Sequence, residues 1–224
     1  GDEVLLPPSF LEHFERPFET FGWQRPAAAR SGGSYAAADA EGVFDAVHTG
    51  NDDPWQYTTS WYEHRKRSLT LAALPGLKYA AGLEIGCSIG TLSAELAQRC
   101  ASFTAVDASS AALAHAAQRL AHLPAARTRH LTVPQDWPDG RFDLIVVSEV
   151  GYYLSPGELA GLFQRVESAL LPGGTLALCH WRHPISGWEL DGDSVHAAAR
   201  RHLGWADAGL YRERDFILEV LIAP

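Results

Sequence analysis

Apolar positions along this chain fall into two rhythms that alternate from about residue 80 onward. Short, largely apolar runs at Ala80–Gly86, Ser102–Asp107, Phe142–Ser148 and Thr175–Cys179 read as strands, with a third, more polar one near Thr128–Val133. The fourth, Phe-Asp-Leu-Ile-Val-Val-Ser, is apolar throughout its centre, the pattern of a strand buried on both faces. Between the runs the spacing predicts helices at Thr91–Arg99, Ser109–His122 and Pro156–Leu170, the last stopped by Pro172-Gly173-Gly174. Ahead of them lies another helical stretch, Thr58–Leu74. Thr58, Thr59 and Ser60 are its cap candidates, Trp61, Tyr62, Arg65, Leu69, Ala72 and Ala73 follow along it, and Pro75-Gly76 ends it. Ser194–Leu203 reads as helix and Tyr211–Ile222 as one or two closing strands. Strand–helix alternation of this kind argues for an open parallel sheet with helices on both faces. Ligands of such sheets bind beyond the C-terminal strand ends, where Gly86, Asp107, Val133 and Ser148 fall.

The first fifty residues follow neither rhythm. Residues 24–42, rich in Ala, Gly and Ser, read as a linker. Before them Leu5–Trp23 carries Phe10, Leu11, Phe14, Phe18, Phe21 and Trp23, too many aromatics for a disordered tail. A segment packed on its own domain is the simplest reading; a lid or a subunit arm are the sharper ones. Residues 1–50 are thus expected to be an extension and linker, and 51–224 the working domain.

Composition narrows the partners. With 27 acidic against 18 basic side chains, the formal net charge of −9 disfavours a large nucleic-acid surface but leaves a small-molecule or cationic substrate open. The three cysteines, Cys87, Cys100 and Cys179, are widely spaced and form no C-x-x-C pair, which points to reduced thiols in the cytoplasm. No apolar run reaches membrane-span length and no basic-then-apolar leader opens the chain, so no membrane partner is expected. No feature fixes an oligomeric state.

The candidate chemistry begins at the first strand–helix junction. Residues 82–90 read Gly-Leu-Glu-Ile-Gly-Cys-Ser-Ile-Gly, and Asp107 closes the next strand. Glycines let a backbone approach a ligand, and an acid at the end of the second strand suits ribose hydroxyls. The turn is Gly86-x-x-x-Gly90, without the spacing that seats a pyrophosphate on a helix N-terminus. Glu84, inside the strand, would repel a phosphate and welcome an ammonium group. A ligand with a ribose, an amino-acid tail and no phosphate fits: S-adenosylmethionine (SAM), with S-adenosylhomocysteine (SAH) as its product.

Over residues 50–224 the chain resembles the class I SAM-dependent methyltransferases, and more narrowly the nodulation protein S group, whose members methylate the free amine of a glucosamine-type sugar. The resemblance is carried by Asp53-Pro54-Trp55, by Thr59-Ser60-Trp61-Tyr62-Glu63 with Lys66, by Leu83–Gly90, and by Ser148-Glu149-Val150-Gly151-Tyr152-Tyr153-Leu154. It implies a Rossmann-like methyltransferase fold with a seven-stranded, mostly parallel sheet. It also implies that Gly86, Cys87, Ser88 and Gly90 line the cofactor through their backbone, with Ser88 where the broad family often has glycine. Glu84 would hold the turn or face the amino group. Asp107, with Ala108 beside it, would take the ribose, Thr132 and Val133 the adenine, and Ser148 the methionine moiety. Trp55, Tyr62 and Lys66 would come from the entrance helix, Lys66 (or the adjacent Arg65) meeting the cofactor carboxylate.

Methyl transfer to an amine needs a free lone pair on nitrogen, so a base or an orienting carboxylate is useful. Glu149, directly after the fourth strand, is the first candidate; His180 and His183, just after the fifth, are the others. Tyr152, Tyr153 and Trp181 could wall a cation or a sugar face, and Arg182 joins them as a substrate contact. A metal at His180-x-x-His183 would need further donors, and none stands at ligand spacing. Cys179 is expected to be a buried apolar residue. The alternatives are O-methylation, with His180 or His183 as base, and a SAM-binding module without turnover.

Overall fold

The computed structural model describes residues 53–185 and 188–224. The expectations for residues 1–50 lie outside the described residues. Helix α1 (Trp61–Ala73) comes first. Ser60 caps it, its Oγ accepting from the Glu63 amide at 3.5 Å. Arg99 closes the other end by donating to the carbonyls of Leu71 (2.6 Å), Leu74 and Gly76, the service a basic side chain gives a helix C-terminus. Then follow β1 (Tyr79–Ile85), α2 (Thr91–Ala97), β2 (Cys100–Asp107), α3 (Ser110–Leu120), β3 (Ala126–His130), β4 (Phe142–Ser148) and a 3-10 turn at Gly151–Tyr153. The chain ends with α4 (Pro156–Ala169), β5 (Leu170–Trp181), α5 (Gly192–Leu203), β6 (Ala206–Arg212) and β7 (Phe216–Ile222).

The seven strands form one sheet in the order β3-β2-β1-β4-β5-β7-β6, with β7 antiparallel to both its neighbours and the other pairings parallel. This is the mostly parallel α/β sheet that the alternation predicts. Leu83, Ile85, Phe103, Leu144, Val146, Leu176 and Leu178 are almost wholly buried, so the centre of the sheet is covered on both sides. Right-handed crossovers explain that cover. From β1 the chain winds outward through α2 and α3 to β3, then returns and winds the other way through α4 to β5. Winding in opposite directions with one hand places the two helix sets on opposite faces. The reversal lies between β1 and β4, and the C-terminal side of such a switch point is where open sheets bind ligands.

Three boundaries differ from expectation. The third strand ends at His130, paired with Asp107, rather than reaching Val133. It is an edge strand of mostly exposed or half-exposed residues, so no two-sided burial marks its limits in the sequence. Pro172-Gly173-Gly174 does stop α4, but the segment stays in the sheet: Leu170 pairs with Phe142, and the Gly173 amide donates to Ala223 O at 3.0 Å. The closing region is a pair of antiparallel strands that starts at Ala206, five residues before the expected Tyr211. Among the described residues no helix is long and apolar enough to cross a membrane.

Candidate functional site

At the switch point the loop after β1 turns sharply. The Gly86 and Cys87 amides both donate to Val106 O (2.9 and 3.0 Å), and the Gly90 amide donates to Cys87 O at 2.9 Å. Gly86 has φ 83°, and a Cβ there would lie 2.0 Å from Val150 Cγ2, so no other residue fits. Ser88 holds φ 47°, a left-handed conformation unusual for a residue with a side chain. Asp107 braces it: Oδ2 accepts from the Ser88 amide (2.8 Å) and Oδ1 from the Ser109 amide (2.9 Å). Burial raises the Asp107 carboxyl above its usual range although these amides oppose the shift.

A cleft opens over this turn. Of the residues expected at the cofactor, Lys66, Glu84, Gly86, Cys87, Ser88 and Ser148 line it, and Glu149 joins them. Glu84 is 1% exposed. Ser93 Oγ donates to its Oε2 at 2.5 Å, and among the described residues no cation pairs with it. Burial pushes the Glu84 carboxyl up to about 7, the Ser93 hydrogen bond opposing and the Asp107 charge adding to the rise. A buried carboxylate without a counter-ion, beside a backbone turn, fits the ammonium of an amino-acid tail.

The opposite wall is a buried charge cluster. Lys66 Nζ lies 2.6 Å from Glu149 Oε1 and 3.0 Å from Glu63 Oε1. Burial alone would lower the Lys66 ammonium; Glu149 and Glu63 outweigh it and hold it well above the usual value. Glu149 Oε2 accepts from the Tyr152 hydroxyl and, at 3.0 Å, from the Trp181 amide. Both Glu149 oxygens are therefore committed, and its backbone sits at φ 57°. Glu63 differs: Oε1 meets Lys66, while Oε2 has no hydrogen-bond partner among the described residues. Burial raises the Glu63 carboxyl despite the opposing lysine. Lys66 has three N–H donors, and its two ion pairs use two of them.

The other expected site residues do not line this cleft. Trp55 is half-buried with its ring 5.9 Å from Tyr57. Tyr62 is buried beneath Lys66, whose Nζ stands 5.1 Å over its ring. Gly90 caps α2, and Ala108 O meets His130 Nε2 at 2.7 Å. Thr132 O accepts from the Asp136 amide at 2.9 Å, and Val133 is buried. Tyr152 and Tyr153 stack edge to face at 4.7 Å, and Tyr153 meets Trp188 at 5.1 Å.

His180 and Arg182 are engaged elsewhere. His180 is fully buried: Nε2 accepts from the Gly151 amide and Nδ1 faces His196. Arg182 is bidentate to Asp193 (2.9 Å each) and also donates to Glu213 O, so its guanidinium is occupied. His183 Nε2 pairs with Asp215 at 2.9 Å, and Trp181 lies against the His183 ring at 5.1 Å. His180 and His183 thus turn to different partners. Burial pushes the Cys179 thiol up to about 12, consistent with an unreactive wall residue.

Sequence reasoning missed Glu63, Tyr57, Arg67 and Thr70, which also line the cleft. Glu63 carried a signal, an acid three positions before a lysine on one helix face. Tyr57 carried none, because a local turn sets its position: Asp53 accepts from the Tyr57 and Thr58 amides and the Thr58 hydroxyl.

With this geometry in place, likeness to known proteins is informative. The "Methyltransferase domain" family matches residues 83–176. Nodulation protein S of Bradyrhizobium diazoefficiens is 31% identical over 67% of this chain and 78% of its own. That of Rhizobium tropici is 33% identical over 56% of this chain, which spans only about half (53%) of that relative's length. A crystal structure of a Pseudomonas syringae protein taken to be a methyltransferase is 43% identical, with TM-score 0.66 over 73% of this chain and 99% of its own. The N-methyltransferase NodS of Bradyrhizobium japonicum in complex with SAH shares the fold at TM-score 0.74 and 24% identity, over 82% of this chain and 98% of its own.

Proposed function

Because the chain belongs to the SAM-dependent methyltransferases of the nodulation protein S-like group, we propose that it methylates the nitrogen of a small-molecule amine, such as an amino sugar. The activity is assigned to residues 51–224. One observation carries the choice of nitrogen over oxygen. O-methylation by this chain would call on His180 or His183 to deprotonate a hydroxyl, and His180 is sealed while His183 is paired outside the cleft. What the cleft does offer is carboxylate, with Glu63 keeping an oxygen free among the described residues.

SAM supplies a methyl group already activated by a sulfonium. Glu84 would hold its ammonium, the third N–H of Lys66 its carboxylate, Asp107 its ribose, and the Gly86–Gly90 backbone its body. Glu149, ion-paired to Lys66 and accepting from Tyr152 and the Trp181 amide, would hold Lys66 and the post-β4 turn in place. Glu63 is then the group that orients an incoming ammonium and accepts its proton at Oε2. A carboxylate raised by burial is closer to that task than an exposed one. Tyr57, beside it on the cleft wall, adds an aromatic surface suited to a cation.

The test compares D-glucosamine with D-glucose as acceptors, using the full chain and SAM. N-methylated product is expected from the first and none from the second. Glu63→Gln is expected to lower kcat about 100-fold while SAH affinity holds. O-methylation of glucose without N-methylation of glucosamine would overturn the reading.

A further inference from the structure

The buried position of His180 is part of an arrangement that the proposed reaction does not use. The Gly151 amide points at His180 Nε2, 3.2 Å away. A peptide N–H can only donate, so Nε2 is an acceptor and the neutral ring carries its proton on Nδ1. That Nδ1 lies 3.1 Å from His196 Nε2, which must then accept. His196 therefore carries its own proton on Nδ1, 2.8 Å from Glu219 Oε2. The other Glu219 oxygen accepts from Arg200 Nε at 2.5 Å. One backbone N–H thus sets the polarity of every bond in the row. Both imidazoles are fully buried and Glu219 is 1% exposed, so water cannot substitute for a missing partner.

The row ends where the catalytic wall begins. Gly151 opens the turn that carries Tyr152, whose hydroxyl donates to Glu149, which in turn holds Lys66. The Tyr152 ring also stands edge-on to His180 at 5.5 Å. A Cβ on Gly151 would lie 2.5 Å from Val195 Cγ1, so the turn is pressed directly onto α5.

We propose that His180, His196 and Glu219 are positioning residues that hold the Gly151–Tyr153 turn against the cleft only while both imidazoles are neutral. The reason is that the row has no room for one more proton. If His196 is protonated, its Nε2–H faces the N–H of His180. His180 must then move its proton to Nε2, which sets N–H against the Gly151 N–H. If His180 is protonated directly, the same clash arises at once. Either way the turn loses its anchor. The surrounding charges bear on this unequally. His180 faces Lys66 from α1, Tyr152 from the turn after β4, and His196 from α5. His196 faces Glu219 from β7, with Arg200 and Asp193 on its own helix. Burial keeps both imidazoles below the ordinary value, and the neighbouring ring and Lys66 lower His180 further. For Glu219 burial alone would raise the carboxyl, but the hydrogen bonds of His196 and Arg200 hold it low and charged. The anchor is therefore intact at neutral pH and is lost in acid, below the ordinary imidazole value of about 6.5.

The inference is independent of the acceptor and is tested on the full chain labelled with 15N-histidine and 15N-glycine. Long-range imidazole spectra should show His180 and His196 as Nδ1–H tautomers at pH 7.5. The Gly151 amide should be protected from exchange and should lose its protection in the same acid step that titrates these two rings. His196→Gln, which can still accept from His180, should keep the Gly151 amide protected; His196→Leu should lose at least ten-fold in protection at neutral pH. An Nε2–H tautomer for either ring, titration together with the exposed histidines, or a Gly151 amide indifferent to that step would overturn the proposal. The wild-type spectra decide it even if His196→Leu fails to fold.

Discussion

Ser88 and Glu149 hold left-handed backbone on either side of the cleft, at φ 47° and 57°. Single residues in such conformations mark places where the surroundings enforce a geometry. For Ser88 the enforcing group is Asp107, which fixes its amide at 2.8 Å. A side chain in this region costs about 1–2 kcal/mol, of which glycine gives back up to about 1 kcal/mol through its freer unfolded state. Ser88→Gly should therefore raise Tm modestly, by about 1–2 °C in a chain of this size, and calorimetry would show it; a fall in Tm would mean that the position is not strained. The glycine turn and Asp107 were legible in the sequence because their spacing is local. The roles of individual carboxylates were not. The place of Glu149 after β4 suggests a base, while its bonds to Tyr152 and the Trp181 amide come from residues whose sequence spacing does not show the contact.

At the scale of elements, α1 is the part that links the site to the fold. Its caps, Ser60 and the Pro75-Gly76 stop, could be read directly, and the helix follows within three residues of expectation at its start. Beyond Tyr62, its buried face could not be read, since the rest of it is polar: Glu63, Lys66 and Thr70. Lys66 is the only cation that the described residues bring within ion-pair distance of Glu63 and Glu149. Lys66→Met would leave two buried carboxylates facing one another, and breaking a buried pair in this way costs about 3–5 kcal/mol. Urea unfolding should register that loss, and adding Glu63→Gln and Glu149→Gln should restore most of it. If Lys66→Met unfolds at the wild-type midpoint, the cluster is not holding α1. Edge strands β3 and β6 drifted from their expected limits for a related reason. Exposed strands need no apolar run, so nothing in the sequence marks where they begin.

For the whole molecule, strand order follows from alternation and handedness, and the switch point between β1 and β4 follows from strand order. Strand order thus fixes where the cleft lies. What sequence order hides is convergence. The row from Gly151 through His180 and His196 to Glu219 joins four elements, and its members show no common spacing. Glu63, Glu84 and Glu149 likewise come from α1, β1 and the segment after β4 to one cleft. The central claim is that this cleft receives the amino-acid tail of SAM on Glu84. With its carboxyl raised to about 7, Glu84 is partly protonated at neutral pH and would release that proton to solvent when an ammonium binds beside it. Affinity should therefore rise from pH 6 to pH 8 and level off above. The most direct measurement is calorimetric titration of the full chain with SAH at pH 7 in buffers of different ionisation enthalpy. The expected result is one-to-one binding with release of roughly half a proton, a release that Glu84→Gln abolishes while weakening binding. No binding at millimolar SAH, or binding with the same proton release in Glu84→Gln, would contradict the claim.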